Sequence, residues 1–378
     1  MVVAALPWGF LWQRPQQIAS GLAIKGHRVI YFQNPTYLKT SIKINNSFLT
    51  REAMQNLYVA NLFPPPFFGK LRVVTEKLGF LLFKTYLRWL SIKPDVVIIY
   101  SLMYDFLLGP MKSMGLRILY DCIDDHSAFS GTSDVSKVLK AEERIVKESA
   151  VVTATSRNLC ERLSKTNPNC HYVPNAVDFD HFHKATRITE KPKDMQHLKP
   201  PIIGFIGAIY DWIDIGLICK LAQTHPDYSI IIVGPIEYGQ ERLRKQQNIT
   251  TVGAKPYSLL PHYLAHVDVC LIPFKINRLT LAANPIKLYE YLAAGKPVVS
   301  TPLPEVRDNA SHVAMIADDA DDFIRKVETA ANETKNPKDR GLIQERINFA
   351  KNNSWKARVD TIEKLLEHSA NLPSHHMT

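Results

Sequence analysis

The sequence predicts an α/β protein built from two parallel-sheet domains in series. Short apolar runs alternate with helical segments in both halves of the 378-residue chain, which is the pattern of parallel strands joined by crossover helices. A polar segment without periodicity interrupts this alternation at 177–200. We therefore expect a first domain at 1–176, a linker at 177–200, a second domain at 201–350, and a C-terminal helix with a flexible tail at 351–378.

Composition limits the classes of protein that the chain can belong to. It is 46% hydrophobic and 22% charged, which allows sizeable cores and excludes a disordered chain. The net charge of +10 suits an anionic membrane surface, a nucleic acid or a phosphorylated substrate. The five cysteines are scattered without a C-x-x-C pair, so we expect neither a zinc site nor a disulfide framework, and a reducing compartment is favoured.

The apolar runs are too short to cross a bilayer, which takes about 18 residues with few charges. Residues 1–12 are apolar but lack a basic start and a cleavage site, so we interpret them as a first strand and loop instead of a signal peptide. We expect a protein that is soluble or bound to a membrane surface.

The first domain opens with a strand, a helix and a second strand, predicted at 2–6, 13–25 and 28–32. No Gly-x-Gly-x-x-Gly motif lies between them, so a dinucleotide-binding dehydrogenase gains little support. Arg14 begins this first helix, where a ligand anion would find free N–H groups. An exposed helical arginine without a ligand is the alternative, and both interpretations stay open.

The segment 70–89 follows a proline-broken apolar turn and has helical periodicity. Its basic side chains share one narrow stripe, formed by Lys70, Lys77, Lys84 and Arg88. The segment is either a mostly buried helix with one solvated stripe or a basic amphipathic helix on anionic lipid. The aromatic residues within 63–68 keep the membrane interpretation open.

An acidic segment follows the strand predicted at 117–120. In open α/β sheets the ligand crevice lies beyond the carboxyl ends of the strands, so Asp121, Asp124 and Asp125 are candidates for general-base or sugar-binding roles. Helix capping in a solvated loop is the alternative for each of them. Farther on, Asp178 and Asp180 form an Asp-x-Asp pattern in the linker, which we interpret as chance or helix capping and to which we assign no metal.

In the second domain, strands predicted at 202–206, 229–233 and 250–252 each end at a glycine. A glycine directly after a strand lets a ligand approach the backbone closely. A further strand is predicted at 269–273, and the loop 274–283 after it carries two cations. These features together favour a nucleotide crevice over isolated loops.

A capped helix and a strand are predicted in the stretch NPIKLYEYLAAGKPVVST. Asn284 is a suitable N-cap, Pro285 suits the first helical position, and Gly295 suits the left-handed residue that ends the helix. Lys287 lies in the first turn, and Glu290 follows on nearly the same face. Free N–H groups and an ammonium suit a phosphate, and the carboxylate suits sugar hydroxyls; an ordinary solvated helix is the alternative.

Four stretches of the chain resemble one group of enzymes. NPIKLYEYLAAGKPVVSTPLPEV at 284–306 resembles the sugar-nucleotide motif of retaining glycosyltransferases of the family-four and family-one group, and VPNAVDFDHF at 173–182 resembles their interdomain stretch. The stretches at 7–35 and 120–129 are similar to a narrower branch that includes bacterial teichuronic acid biosynthesis glycosyltransferases. The resemblance implies the GT-B fold, with two Rossmann-like domains facing a cleft and a C-terminal helix packed back towards the N-terminal domain.

The resemblance also implies a donor site, with two departures from the family pattern. Glu290 matches the second glutamate of the E-x7-E motif and is expected to bind the donor ribose, whereas Ala282 stands at the first position. The usual arginine and lysine for the pyrophosphate are missing after Gly207, so Lys287 is expected to act with Lys275 or Arg278. The expected donor-binding residues are Gly207, Tyr210, Asp211, Gly234, Gly253, Tyr257, Lys275, Arg278, Asn284, Pro285, Lys287 and Glu290.

The function that the resemblance implies is transfer of a sugar from a nucleotide-diphosphate donor, with a UDP-sugar expected, to a glycan or lipid-linked acceptor of the cell envelope. Asp121, Asp124 and Asp125 are the expected catalytic residues, and Trp8 and Arg14 the expected acceptor-side residues. We expect retention of configuration, no metal and no other cofactor. We expect the protein to be cytoplasmic and to bind peripherally to the inner face of the cell membrane.

Two other functions compete with transfer. A sugar-nucleotide epimerase would use the same fold without a second sugar. A nucleic-acid-binding protein is suggested only by the net charge of +10. Because the basic residues are spread along the chain and no nucleic-acid-binding motif is present, we expect no nucleic-acid partner.

Overall fold

The computed structural model describes residues 1–33 without 5 and 10, 51–61, 80–91 without 82, 86 and 90, 93–333 without 131 and 133, and 340–370. The chain divides into two compact units. Unit 1 comprises Met1–Pro174 and Arg358–Thr378, and unit 2 comprises Asn175–Ala357. The segment 177–200 is part of unit 2.

Unit 1 is organised around an eight-stranded sheet with the strand order β3-β4-β2-β1-β5-β6-β7-β8. Neighbouring strands are parallel, except that β3 and β4 pair antiparallel on either side of a turn at Asn56. The strands are β1 Val2–Val3, β2 Val29–Gln33, β3 Arg51–Met54, β4 Leu57–Asn61, β5 Val96–Ile99, β6 Arg117–Cys122, β7 Val151–Ala154 and β8 Cys170–Tyr172.

The helices of unit 1 connect these strands, and the last helix of the chain returns to it. They are α1 Arg14–Ile24, α2 Leu108–Ser113, α3 Val135–Glu148 and α4 Arg157–Ser164, with the C-terminal helix at Trp355–Ala370. The Arg117 guanidinium donates to the Leu366 carbonyl at 2.7 Å, and Lys25 pairs with Asp360 at 2.6 Å. These contacts confirm that the C-terminal helix packs on the N-terminal unit.

Unit 2 contains a six-stranded, fully parallel sheet with the order β11-β10-β9-β12-β13-β14. Its strands are β9 Ile202–Ile206, β10 Ser229–Val233, β11 Ile249–Thr251, β12 Val269–Ile272, β13 Val298–Ser300 and β14 Met315–Ile316. Its helices are α5 Phe179–His183, α6 Ile215–Thr224, α7 Gln240–Arg244, α8 Leu260–Ala265, α9 Arg278–Leu281, α10 Ile286–Ala293, α11 Pro304–Ala310, α12 Ala320–Glu333 and α13 Arg340–Asn352; the C-terminal helix is α14.

The strand order of unit 2 determines where a ligand can bind. The chain continues from β9 to β10 on one side and from β12 to β13 on the other, so the connections after these two neighbouring strands run in opposite directions. A crevice forms at such a switch point, outside the carboxyl ends of the strands. The residues that follow β9, β10 and β12 therefore lie where a ligand is expected.

Several sequence expectations fall outside the described residues or have a simple structural outcome. The aromatic residues at 63–68, the basic residues Lys70 and Lys77, and positions 371–378 lie outside the described part of the chain. The Asp178 side chain accepts the backbone N–H of His181 and so caps α5, which confirms the capping interpretation of the Asp-x-Asp pattern. Among the described helices, none has both the length and the apolar character needed to cross a membrane.

Candidate active site

The carboxyl ends of β9 and β10 meet at two glycines. Gly207 and Gly234 have φ values of +155° and +151°. A Cβ on Gly234 would lie 2.1 Å from the Gly207 carbonyl oxygen, and a Cβ on Gly207 would lie 2.1 Å from Lys287 Cε and 2.4 Å from Nζ. Only glycine fits at these two positions, and the Lys287 ammonium is therefore held directly at the end of the central strand.

Helix α10 begins without a side-chain cap. Pro285 occupies the N-cap position with extended backbone angles, and no side chain accepts a hydrogen bond from the first turn. The prediction that Asn284 is the N-cap is therefore wrong. The backbone N–H groups of Ile286 and Lys287 have no acceptor within the described residues. Uncapped N–H groups at a helix start favour an anion.

Lys287 is a half-buried cation that needs an anionic partner. Its side chain forms no hydrogen bond or ion pair with any described residue, and Nζ lies 5.6 Å from the centroid of the Phe205 ring. Burial lowers the pKa of the Lys287 ammonium, while the nearby Glu290 raises it. A phosphate at the helix start would supply the missing counter-charge.

Glu290 lies one turn after Lys287 on α10. Burial raises the pKa of its carboxyl group to about 7, and Lys287 counteracts part of this shift. Within the described structure the carboxylate has no hydrogen-bond donor. A half-buried carboxylate without donors is suited to bind hydroxyl groups of a ligand.

Asn284 does not present its side chain to a ligand. Its Oδ1 accepts the backbone N–H of Asn175 at 3.1 Å, and its Nδ2 donates to Glu305 at 2.8 Å. All three residues are buried. Asn175 and Glu305 were not predicted as partners of Asn284, although both lie inside the stretches that resemble the glycosyltransferases.

The cationic loop after β12 is held against the loop after β9. Lys275 Nζ donates to the Asp211 carbonyl at 2.6 Å and lies 5.1 Å from the centroid of the Tyr238 ring. Tyr210 stacks on Trp212 with ring centroids 4.6 Å apart. The Lys275 ammonium therefore has partners inside the loop pair, which makes it a weaker phosphate ligand than Lys287.

Arg278 and Ala282 lie at the two ends of the short helix α9, between the loop after β12 and α10. Arg278 is exposed at the start of α9. Ala282 ends α9 and is buried, so no carboxylate stands where the family pattern places its first glutamate. The contact of Arg278 with a donor stays a prediction.

The loop 253–257, which contains the expected donor-binding residues Gly253 and Tyr257, is anchored to the segment 181–194 of the same unit. Gly253 is exposed with φ of +69° and open space around its Cα. The Tyr257 ring stacks on His181 with centroids 4.5 Å apart, and His181 Nε2 lies 3.0 Å from the Tyr257 carbonyl oxygen. Lys255 pairs with Asp194 at 2.7 Å. These contacts order the loop without covering Gly253.

In unit 1, Arg14 and Asp121 form a buried ion pair. Arg14 Nε and Nη2 donate to the two Asp121 oxygens at 2.7 and 2.9 Å, and the side chains are 2% and 0% exposed. Thr153 also donates to Asp121, and Arg14 donates to the Pro174 carbonyl. We therefore correct both expectations: the Arg14 guanidinium and the Asp121 carboxylate are buried and paired with each other inside unit 1, so neither is placed to contact a ligand.

The remaining candidate residues of unit 1 are Asp125, Asp124 and Trp8, which differ in burial and in their side-chain partners. Asp125 is buried and caps a short 3₁₀ turn by accepting from Ser127 N and Oγ at 3.1 and 2.6 Å. Asp124 is half-buried without a side-chain partner in the described structure. Burial, with a smaller contribution from Asp125, raises the pKa of Asp124 to about 7; its role as a general base stays a prediction. Trp8 is buried edge-on against Trp12 and Tyr31, which indicates a core role.

Comparison with known proteins finds a match within the second unit. Residues 200–333 match the family described as glycosyl transferases group 1. The matched segment includes both strand-end glycines and the whole of α10, so it contains the residues that meet at the ends of β9 and β10.

A sequence relative extends the similarity. TuaH of Bacillus subtilis (strain 168), which is assigned as a teichuronic acid biosynthesis glycosyltransferase, is 33% identical over 204 residues. The alignment covers 50% of this chain and 51% of TuaH, so the chain spans about half the length of the curated relative it matches. The resemblance inferred from the sequence motifs is confirmed at this level.

Solved structures confirm the fold. Sucrose-phosphate synthase from Thermosynechococcus elongatus superposes with a TM-score of 0.74 at 15% identity, over 97% of this chain and 98% of that one. Anabaena HepE, solved in complex with UDP and glucose, gives a TM-score of 0.66 at 13% identity, over 98% and 99% of the two chains. The GT-B fold with two Rossmann-like parallel-sheet domains is thus confirmed.

Proposed function

We propose that the protein transfers a sugar from a UDP-sugar to a glycan or lipid-linked acceptor in the synthesis of a cell-envelope polysaccharide. The group 1 family match at 200–333, the similarity to TuaH and the UDP complex of HepE support this assignment. The observation that carries it is the pair Lys287 and Glu290. Both charges are half-buried and lack described partners, beside the glycines that end β9 and β10.

The donor diphosphate is proposed to bind at the start of α10. As the glycosidic bond to the diphosphate breaks, negative charge develops on the leaving oxygen. The N–H groups of Ile286 and Lys287 and the Lys287 ammonium are placed to stabilise that charge. This set of groups supports a metal-independent reaction. Glu290 is proposed to accept hydrogen bonds from the ribose hydroxyls.

Asp124 is proposed to accept the proton of the acceptor hydroxyl. Its pKa of about 7 keeps a useful fraction ionised near neutral pH while leaving it basic enough to take a proton. We further propose that transfer retains configuration and proceeds without a carboxylate nucleophile on the enzyme.

The function is tested by incubating the protein with UDP-sugars, with and without membrane extract that contains lipid-linked glycans. Release of UDP that depends on the extract, with the sugar recovered in the glycan fraction, supports transfer. Conversion of a UDP-sugar to its epimer in the absence of acceptor would instead establish the competing epimerase function.

The affinity for UDP is expected to rise with pH through neutrality. Ribose hydroxyls bind the ionised form of Glu290, whose pKa in the free protein is about 7. Below that pH the carboxyl is protonated, and UDP binding must first remove the proton. The dissociation constant for UDP should therefore be about tenfold larger at pH 6 than at pH 8 because of Glu290. Isothermal titration calorimetry at both pH values measures this ratio.

Glu290→Gln is the control for that experiment, because glutamine cannot ionise. The variant should retain only the pH dependence caused by the terminal phosphate of UDP, whose pKa is about 6. An unchanged pH dependence in Glu290→Gln would show that another group titrates.

We also propose that the protein associates with the inner face of the cell membrane. Among the described residues near 80–89, Leu81 and Trp89 are 58% and 59% exposed. Lys84 and the exposed Arg88 lie on the same segment, with Lys84 Nζ 4.5 Å from the centroid of the Phe80 ring. Apolar and basic side chains exposed together suit the interface of an anionic bilayer.

Flotation with lipid vesicles tests the membrane proposal. The protein should float with vesicles that contain anionic lipid and not with neutral vesicles, and the double substitution Leu81→Glu/Trp89→Glu should abolish flotation. Ile24→Glu is the matched control, since Ile24 is 74% exposed at the end of α1. Equal loss in the control, or flotation of the double variant, would contradict the proposal.

A further inference from the structure

We infer that Asn284 and Glu305 are positioning residues that fix the start of α10, and with it Lys287 and Glu290, for donor binding. The inference rests on the proposed function, because it concerns the same donor site. Neither residue is proposed to touch the donor. Their role is to hold the helix in the one place where its ammonium and carboxylate can act on the same ligand.

Asn284 is bonded through both its backbone and its side chain. Asn175 Nδ2 donates to the Asn284 carbonyl at 2.7 Å, and the Asn175 backbone N–H donates to Asn284 Oδ1 at 3.1 Å. Asn175 donates both bonds and Asn284 accepts both, and the two residues are 109 positions apart in sequence. Asn284 Nδ2 then donates to Glu305 Oε2 at 2.8 Å.

The far end of this chain of hydrogen bonds is also fixed. Glu305 lies in the first turn of α11 and is 2% exposed. Asn309, one turn later, donates to both the Glu305 carbonyl and Oε2, at 2.7 and 3.2 Å. A buried carboxylate needs such donors, so the direction of the bond is set: Asn284 must donate and Glu305 must accept.

The position of α10 depends on this anchor because the helix has no cap of its own. Its N-cap is Pro285, which offers neither a capping side chain nor a backbone N–H. The residue immediately before it therefore determines where the first turn begins. Lys287 and Glu290 follow Asn284 by three and six positions, so a displacement of Asn284 would move both side chains, including the Lys287 ammonium that lies against Gly207.

Reversing the polarity of the bond provides the test. Asn284→Asp places a second carboxylate against Glu305. We expect the dissociation constant for UDP to rise at least about tenfold. The double variant Asn284→Asp/Glu305→Gln restores a donor and acceptor pair in the opposite direction. We expect it to return to within about threefold of the wild-type affinity. Calorimetry with UDP and thermal melting are measured on the same samples.

Asn167→Asp is the matched control. It places a carboxylate where a buried asparagine Nδ2 donates to the Val146 and Ser149 carbonyls, both at 2.8 Å, in unit 1 and not at the donor helix. We expect it to lower the melting temperature as Asn284→Asp does while keeping UDP affinity within about twofold of wild type. A purely structural role predicts that both variants change stability and affinity in parallel.

Distinct outcomes separate this inference from the proposed function. If the wild-type protein binds no UDP, the proposed function fails. If the wild type binds UDP but folded Asn284→Asp binds equally well, or if Asn167→Asp loses as much affinity, the positioning role is overturned. Should Asn284→Asp fail to fold, recovery of folding and UDP binding in the double variant supports the inference, and failure of the double variant to fold overturns it.

Discussion

Replacing Lys287 with methionine is expected to lower kcat/KM for the donor by about 10²- to 10³-fold. Methionine keeps the apolar stem that lies against Gly207 and removes the charge alone. The lost interaction is strongest when the diphosphate leaves, so kcat should fall more than KM rises. Steady-state kinetics with a UDP-sugar and the native acceptor measures the two constants separately.

Lys275→Met is the matched control for this prediction. The Lys275 ammonium already donates to the Asp211 carbonyl, so its loss should cost less than about tenfold in kcat/KM. An effect of Lys275→Met equal to that of Lys287→Met would contradict the assignment of the diphosphate to the start of α10 and would favour the loop after β12.

Breaking the Arg14–Asp121 pair is expected to destabilise the protein by about 3–5 kcal/mol, because either single substitution leaves an uncompensated buried charge. Burial opposes the charge on Arg14, yet the contacts with Asp121 raise the pKa of the guanidinium. Arg14→Met and Asp121→Leu should each lower the urea midpoint, whereas the double variant should recover much of the loss. Urea denaturation followed by circular dichroism measures these differences.

An exposed ion pair provides the control for the stability series. Lys112 pairs with Glu148 at the surface, and Lys112→Met should change the unfolding free energy by less than about 1 kcal/mol. If Arg14→Met or Asp121→Leu were as stable as the wild type but inactive, Arg14 and Asp121 would act in the reaction and not only in the buried pair. Such a result would contradict the structural role given to them here.

Periodicity predicted most of the elements of this fold. Three of the six strands of unit 2, β9, β10 and β11, lie in short apolar runs that end in glycine. Gly295 takes φ of +70° after α10 as the helix-ending residue. The β3–β4 hairpin was missed because its first strand, Arg51–Met54, is polar and lies at the sheet edge. Its pairing depends on the adjacent strand, and not on a periodic apolar face of its own.

The residues of the candidate donor site could be named from the sequence, but the hydrogen-bond partners of the candidate residues could not all be predicted. Lys287 and Glu290 are close in sequence, so their common face follows from helix geometry. The partners of Asn284 and Asp121 lie 109 and 107 positions away, and only the folded chain shows that these polar groups are already paired. An asparagine before a proline is equally compatible with a cap, a ligand or an anchor.

The most direct test of the account is a thermal-shift measurement with UDP-, GDP- and ADP-sugars on the wild-type protein and on Glu290→Ala. A ligand present at 100 times its dissociation constant adds about 2.7 kcal/mol of stability, which is a shift of several degrees for a domain of this size. We predict that a UDP-sugar stabilises the wild type and that Glu290→Ala abolishes the shift. A shift that survives intact in Glu290→Ala would contradict the placement of the donor on α10.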